Sequence, residues 1–435
     1  MKKLFFTGLL IFISLTIYPQ CWKTVSRTIH HTIAIRNDGS LWAVGYNSIG
    51  ELGLGQSINA VDTFTQVGTD MNWKTVCAAS GFTIALKENN TLWAWGENGY
   101  GTLGDGTIVR KYIPEQIGTD SNWETISSSQ YHTMAIKKNG TLWSWGMCSN
   151  GVGNTMYESY NIPTQIGTDT NWLQVSTGSC FTIALKKDHT LWGWGENYYG
   201  QVGDGTGWFV VTPKKIGVDT NWSTIAAGYY HSLAIKTDGS LWTWGEGAFG
   251  KLGNGTTMNK LIPTKIGVAN NWRSVSGSTF HSLALKNDGT LWACGRNAYG
   301  ENGFGTRIES DSFVKVGIDT NWKYITASSG VSNCLKTNNT LWACGDGYFG
   351  SAQNSFSDTL IFINSFFVNN WIGGVSNLWE DPENWSCKCI PNEYSNVLIK
   401  QGAVYLNSNV DVNSLKLNPS AKFTINSGNF LKILH

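Results

Sequence analysis

Residues 221–250 read NWSTIAAGYYHSLAIKTDGSLWTWGEGAFG, and nearly the same phrase is written seven times along the chain. The Leu-Trp pair inside it recurs at Leu41-Trp42, Leu92-Trp93, Leu142-Trp143, Leu191-Trp192, Leu241-Trp242, Leu291-Trp292 and Leu341-Trp342, in steps of 51, 50, 49, 50, 50 and 50 residues. So regular a period marks a repeat architecture whose units bury their apolar faces against one another. Within a unit the apolar residues follow strand spacing. In HSLAIK, His231 to Lys236, Leu233 and Ile235 share one face while Ser232, Ala234 and Lys236 share the other, which predicts a half-buried strand. Asp238-Gly239 supplies turn residues that tolerate positive φ, and Ser240 to Trp244 follows as a second strand, making a hairpin. Upstream, Trp222 to Ala226 reads as another strand. Downstream, Pro263 to Ile266 reads as a fourth, with proline where an edge or strand start tolerates a missing N–H. Four short strands per unit and seven units describe an all-β fold, a seven-bladed β-propeller, with the Leu-Trp residues packed between blades.

Composition narrows the function. The chain has 435 residues, room for one large ring and a small appendage, and its net charge is +1 with Lys and Arg spread one or two per blade. A protein that grips nucleic acid gathers basic charge on one face and usually has a pI above about 9; here it is near 7.5, so nucleic acid is not an expected partner. Of 22 tryptophans, 18 sit at repeat positions, which assigns most of them to packing. His31, His132, His231 and His281 share one repeat position, held elsewhere by Phe82, Phe181 and Val331. Places one blade apart cannot converge on a single ion, so a half-buried histidine bonded to backbone is expected at each. The Gly-rich links, such as WGENGYGTLGDGT from Trp95 to Thr107, call for positive φ and close backbone approach between blades. Asp105 and Asp204 are single carboxylates, and Asn254 replaces them in the fifth unit, so Gly-Asp-Gly-Thr reads as a turn and not a calcium site. No Ser-His-Asp set, paired carboxylates or zinc-type Cys/His spacing stands out from the repeat. Neither catalytic residues, metal nor cofactor are expected.

The start of the chain reads as an address. Lys2 and Lys3 precede an apolar run, Leu4 to Ile17, too short to span a bilayer comfortably, so 1–20 is expected to be a signal peptide. The mature chain, without a transmembrane segment, would then begin at Cys21, in register with the first blade. Tyr18-Pro19-Gln20 lacks the small residues favoured before a lipid-modified cysteine, so Cys21 is expected simply to occupy a repeat position. Nine cysteines permit disulfides without describing a disulfide scaffold. Cys294 and Cys344 replace the second Trp of Trp-x-Trp-Gly; Cys334 and Cys344 share a hairpin, as a bridge or as buried free thiols. Cys387 and Cys389 are too close for an ordinary bridge to each other.

The pattern Gly, His-Ser/Thr-x-Ala-Ile/Leu, Asp-Gly, Leu-Trp-x-Trp-Gly, x-Asn-x-x-Gly and Leu-Gly-x-Gly resembles the RCC1 (regulator of chromosome condensation) repeat, over roughly Cys21 to Val368. That resemblance implies a seven-bladed propeller over 21–368. The family includes a nuclear exchange factor that works through a wedge inserted in a blade, for which the spacings here leave no room. It also includes a plant ultraviolet photoreceptor with Trp two residues before the repeat His; here those places hold Ile29, Ser80, Gln130, Ser179, Tyr229, Thr279 and Ser329. Secreted bacterial members that bind another protein through loops on one face are closest in setting.

Residues 369–435 form a separate, small β-rich module. Trp371-Ile-Gly-Gly, Ser376, Trp379, Asn384-Trp385 and Ile390-Pro391 resemble a module of exported Bacteroidetes-type proteins. Val397 to Ile399, Val404 to Leu406, Leu415 to Leu417 and Phe423 to Ile425 read as rungs of a small β-solenoid. Proteins with this module often continue into a sorting domain, which this sequence lacks, so the final address stays open between secretion, cell surface and periplasm.

Two functional classes follow. The first is a secreted or surface-exposed, non-catalytic scaffold that binds a protein partner through loops on one face. The second is an enzyme or carbohydrate-binding propeller that uses the central channel, with a surface glycan as ligand. Sparse charge at repeat positions favours the first. Candidate contacts are the aromatic residues before the link glycine, Tyr100, Tyr199, Phe249, Tyr299 and Phe349, which either ring the channel mouth or each pack on the next blade. The fourth link breaks the pattern: where others read TIVRKYI (107–113) and TTMNKLI (256–262), it reads TGWFVVT (206–212), making Trp208, Phe209 and Val211 an apolar patch suited to a partner.

Overall fold

A computed structural model describes residues 22–28, 30–147, 153, 159–346, 357–363, 368–373, 375–386, 389–393 and 395–434. The chain divides at 363/364 into two compact units, the first being Cys21–Ile363; the sequence had placed that boundary at 368/369. Seven four-stranded antiparallel sheets make up the first unit, each in sequence order. They are the blades, 1 to 7, over 22–66, 73–116, 123–166, 172–215, 222–265, 272–315 and 322–362.

Blade 5 shows how the repeat folds. Its strands are Trp222–Ala227, His231–Lys236, Leu241–Gly245 and Lys260–Lys265. The outer strand starts earlier than expected and carries Pro263 in its interior, at the sheet edge where no ladder bond is lost. His231–Lys236 is buried at every position, not at alternate ones. Neighbouring blades cover both of its faces, so a sheet that would expose one face alone exposes neither here. At the hairpin Gly239 has φ +76°, and a Cβ on it would lie 2.0 Å from the Asn270 carbonyl oxygen, in the connection that leads into blade 6. The same backbone contact holds the ring together: Trp272 N–H donates to Gly239 O at 3.1 Å. Trp22 N–H donates likewise to Asn339 O at 3.2 Å, so blade 1 meets blade 7 as other blades meet, with every blade built from contiguous strands.

The tryptophans divide the work differently from the sequence expectation. Trp222 and Trp244 are fully buried and stack with ring centroids 6.3 Å apart, in one cluster with Leu191, Val202 and Leu241's neighbour Trp242. Trp242 of the Leu-Trp pair is only half-buried. Its indole N–H donates to Ser240 Oγ at 2.9 Å and its ring lies 4.1 Å from Lys236 Nζ, which also faces Trp222 and pairs with Asp219 at 2.7 Å. The leucines of these pairs are core; their tryptophans face a lysine in blades 2 to 7 and Arg36 in blade 1.

The histidines are fully buried and bond to hydroxyls, not chiefly to backbone. His132 bonds Ser129 Oγ through Nδ1 (3.1 Å) and Thr182 Oγ1 of blade 4 through Nε2 (3.1 Å). His231 and His281 reach Ser282 and Ser332 of the following blades, both at 2.8 Å. Those serines in turn donate to the link carbonyls of Lys251 and Glu301, each at 2.7 Å. Cys294 and Cys344 donate to the same two carbonyls, as Trp145 Nε1 does to Thr102 O at 2.8 Å, which explains a thiol in place of an indole. Cys334 and Cys344 are free and buried, whereas Cys180 and Cys389 are disulfide-bonded. Cys21 and Phe349 lie outside the described residues.

The second unit is held by Trp371, Trp379 and Trp385, with Trp379 and Trp385 centroids 4.7 Å apart. Asn384 is fully buried and knots the loop before it, donating to Ser376 Oγ (2.9 Å) and Leu378 O (3.1 Å) while accepting from Ser376 N. Beyond it, Asn396–Ile399 pairs in parallel with Ser414–Leu417, Gly402–Leu406 with Ala421–Ile425, and Val410–Val412 with Leu431–Ile433. All four strands expected from the sequence are present, each extended by one or two residues at its start.

Candidate functional site

At one end of the ring, the turns between first and second strands of all seven blades enclose a cavity of about 340 Å³ at the channel mouth. Its walls are mostly Ser, Thr, Ala and Gly; Arg27 and Tyr229 are the titratable groups among them. Burial lowers the pKa of Arg27 to about 10, against the opposing pull of Asp346. Tyr229 crosses blade 4 altogether, because the turn there is the small sequence Gly178-Ser179-Cys180. Its hydroxyl donates to Gln130 Oε1 of blade 3 at 2.5 Å, and its backbone carbonyl accepts from Ser179 N.

Around this mouth lie the aromatic residues the sequence singled out. The four that are described, Tyr100, Tyr199, Phe249 and Tyr299, each pack on the next blade. Tyr100 stacks on Tyr131 (5.5 Å), Tyr199 on Tyr230 (5.2 Å) and Phe249 on Phe280 (5.8 Å), while Tyr299 meets Gly330, where a Cβ would come 3.4 Å from its ring. The packing alternative therefore holds, and its partners Tyr131, Tyr230 and Phe280 directly follow the mouth-lining Gln130, Tyr229 and Thr279. Link glycines permit the approach: Gly200 has φ +80°, and a Cβ there would sit 2.6 Å from Leu261 Cα.

Tyrosines concentrate at blades 3 to 5. Tyr229 stacks on Tyr230 at 4.6 Å, and burial, with help from Tyr229, Glu196 and Tyr199, pushes the Tyr230 hydroxyl up to about pKa 12. Burial likewise raises Tyr131, with Tyr229, Tyr100 and Glu196 contributing. Next in sequence to Tyr199, Tyr198 stacks on Phe209 at 4.8 Å. Trp208 beside it is 78% exposed, Phe209 half-buried, and Val211 half-buried in the outer strand Val210–Lys215. Phe209 thus contacts Tyr198, the neighbour in sequence of Tyr199, which packs on Tyr230, whereas Phe249 and Tyr299 belong to other blades. Gln130 and Tyr229 were not singled out as contacts; the signal available was the non-repeating residue two before the histidine position.

Asp105 and Asp204 are committed to their turns. Asp204 accepts from Thr206 N (3.0 Å), Thr206 Oγ1 (2.8 Å), Asn197 Nδ2 (2.9 Å) and Lys214 Nζ (2.8 Å). Among the described residues no three His, Cys, Asp or Glu side chains gather as a metal site, and no helix is long and apolar enough to cross a membrane.

Two family models, both described as regulator of chromosome condensation (RCC1) repeat, match this chain. One matches 89–136, 188–235 and 238–285; the other matches 73–102, 123–154, 172–201, 222–251 and 272–301. Among curated relatives, the chain is 33% identical over 87 residues to the ultraviolet-B receptor UVR8 of Arabidopsis thaliana, covering 20% of each protein. It is 29% identical over 100 residues to the human X-linked retinitis pigmentosa GTPase regulator, covering 22% of this chain and 10% of that one. The chain thus spans a fifth or less of the curated relatives it matches. Its fold is that of Prp20p from Saccharomyces cerevisiae (TM-score 0.68, 20% identity, 80% of this chain and 87% of that one). Human WBSCR16 superimposes with a TM-score of 0.64 at 21% identity, over 71% and 85% of the two chains.

Proposed function

We propose that this seven-bladed propeller, whose repeats match RCC1-repeat models, is an exported, non-catalytic interaction module that binds a protein partner on the face around the channel mouth, centred on blade 4. The observation that carries this is Trp208, a large apolar side chain left 78% exposed beside Phe209, Tyr198 and the tyrosine cluster. Apolar and tyrosine-rich patches with a polar surround are what partner surfaces offer. A similar propeller binds proteins: Prp20p, yeast RCC1, has binding properties toward Gsp1p and histones and has been crystallised with Kap60 bound. Among the described residues, the titratable groups lining the mouth are Arg27 and Tyr229. In this proposal 1–20 directs export, the parallel-paired strands after Asn384 form a short solenoid, and that module belongs with those of exported Bacteroidetes-type proteins.

The test is capture of a partner from outer-membrane and culture-supernatant fractions by the wild-type chain and by Trp208→Ser/Phe209→Ser. The double variant should lose a partner that the wild type holds, with its melting temperature within a few degrees. Equal capture by both would refute the placement.

A further inference from the structure

In blades 2 to 7 the lysine that ends the second strand lies over two indole rings, one from the first strand and one from the Leu-Trp pair. Five of these lysines are covered by an aspartate from the turn that leads into their own blade. Asp70 meets Lys87 at 2.7 Å, Asp120 meets Lys137 at 2.6 Å, Asp169 meets Lys186 at 2.6 Å, Asp219 meets Lys236 at 2.7 Å and Asp319 meets Lys336 at 3.1 Å. The five lysines are buried and the five aspartates exposed, so each carboxylate is laid over its ammonium from the solvent side. Grooves of about 580 and 420 Å³ reach two of these places, with Asp70, Trp73 and Trp93 on the walls of one and Asp120, Trp123 and Trp143 on those of the other.

Blade 6 keeps the lysine and lacks its cover. Lys286 Nζ lies 4.7 Å from the Trp272 ring centre and 3.9 Å from that of Trp292, as in the other blades. Its turn, however, reads Ile266-Gly267-Val268-Ala269, so a methyl group stands where the other five carry a carboxylate. Every residue from 159 to 346 is described, and among the described residues no carboxylate pairs with Lys286. Alone of the six lysines it is half-buried and not buried. Asp288 is committed to the hairpin, its Oδ1 accepting from Thr290 N (3.0 Å) and Thr290 Oγ1 (2.6 Å), as Asp238 serves Ser240 in blade 5. The exposed Arg273 adds a second positive charge close by, its Nε donating to Lys286 O at 3.0 Å.

A second departure from the repeat surrounds the first. The residue before the aspartate position is Thr69, Thr119 and Thr168 in the first three turns but Val218, Val268 and Ile318 in the last three, where it is 88, 95 and 91% exposed. Apolar side chains left in solvent on three successive turns, with the uncovered ammonium beside the middle one, offer a contact where the threonine turns offer a solvated rim.

We propose that Lys286, backed by Trp272 and Trp292, is a docking point for an aspartate or glutamate side chain of a protein partner, with Val268 packing on an apolar neighbour of that residue. The molecule shows what the place accepts, since five equivalent places hold a carboxylate. A lysine ammonium is a compact charge with donors to spare, and a single carboxylate oxygen satisfies it. The mouth is built by the turns that precede the second strands and these lysines end them, so this contact lies at the other end of the ring and does not depend on the Trp208 face.

The probe is the peptide acetyl-Val-Asp-Val-amide, titrated into the full chain by calorimetry beside acetyl-Val-Asn-Val-amide, which keeps the shape and lacks the charge. The aspartate peptide should bind about fivefold more tightly. Ala269→Asp, which rebuilds the cover of the other blades, and Lys286→Met, which keeps an apolar stem on the indoles, should each remove that preference. Trp208→Ser/Phe209→Ser should retain it. Equal binding of the two peptides, or a preference that survives Ala269→Asp, overturns the inference whether or not Lys286→Met folds. A preference lost in Trp208→Ser/Phe209→Ser would place the peptide at the mouth and overturn it too. Sodium acetate that competes as strongly as the aspartate peptide would reduce the site to a general anion contact and overturn docking by a protein side chain.

Discussion

The links of blades 2 and 4 are the same loop with different tips. Asn98 Nδ2 donates to Asp105 Oδ1 (3.0 Å) and Thr107 O (3.1 Å), and its Oδ1 accepts Leu103 N at 3.0 Å. Asn197 repeats this with Asp204 Oδ1 and Thr206 O (both 2.9 Å) and with Val202 N (2.9 Å). Above that knot, Ile108-Val109-Arg110-Lys111 in blade 2 becomes Gly207-Trp208-Phe209-Val210 in blade 4. Blade 2 thereby closes its charges on itself through Arg110–Glu97 and Lys111–Asp105, whereas blade 4 leaves Trp208 in solvent. The difference teaches that an asparagine knot fixes the loop whatever the tip, so the tip is free to change its chemistry without cost to the fold.

If the two loops share one framework, their supports should matter equally. Leu103 packs with the buried Trp123, and Val202 with the buried Trp222, in matching clusters. Trp123→Ala and Trp222→Ala should each cost about 3–5 kcal/mol in urea unfolding, the largest effect expected. A variant of either that melts like the wild type breaks the equivalence.

Blades 2 and 4 are also alike in carrying Phe82 and Phe181 where blades 1, 3, 5 and 6 carry buried histidines. Burial lowers His31, His132 and His281 from 6.5 to about 3, and His231 well below its usual value. The unfolded chain takes up these protons near pH 6.5 and the folded chain does not, so the stability they contribute is complete above that pH and falls as pH drops toward 3. Each histidine adds up to ~1.4 kcal/mol of loss per pH unit. His132→Phe, which copies blades 2 and 4, should flatten the fall between pH 6.5 and 4.5 by one histidine's share, read from urea midpoints. An unchanged slope would mean that the His132 proton is not linked to folding.

The smallest effect belongs to the loop tips. Arg110→Ala removes a half-exposed ion pair and should cost under about 1 kcal/mol. A larger loss by thermal melting would make the pair a structural strut, and blade 4 would then need a strut of its own.

Periodicity made the ring legible. Leu-Trp spacing gave the blade count, Asp-Gly the hairpins, and the glycine links the close approach that Gly200 and Gly239 show. Burial was less legible. The alternation in HSLAIK marks a strand correctly but cannot reveal that blades cover both its sides, and the Leu-Trp tryptophans look like core until Lys236 is seen between Trp222 and Trp242. Trp208 and Phe209 stood out as departures from the repeat.

What the sequence determined by itself is whatever local chemistry repeats: strand pattern, turn residues and blade number, because each depends on neighbours within one unit. What only the tertiary structure decided is which charges find partners. Arg110 and Glu97 are 13 residues apart, and Tyr229 and Gln130 are 99 apart. Electrostatic compensation acts through space at a few ångströms, a distance the order of residues along a chain does not record.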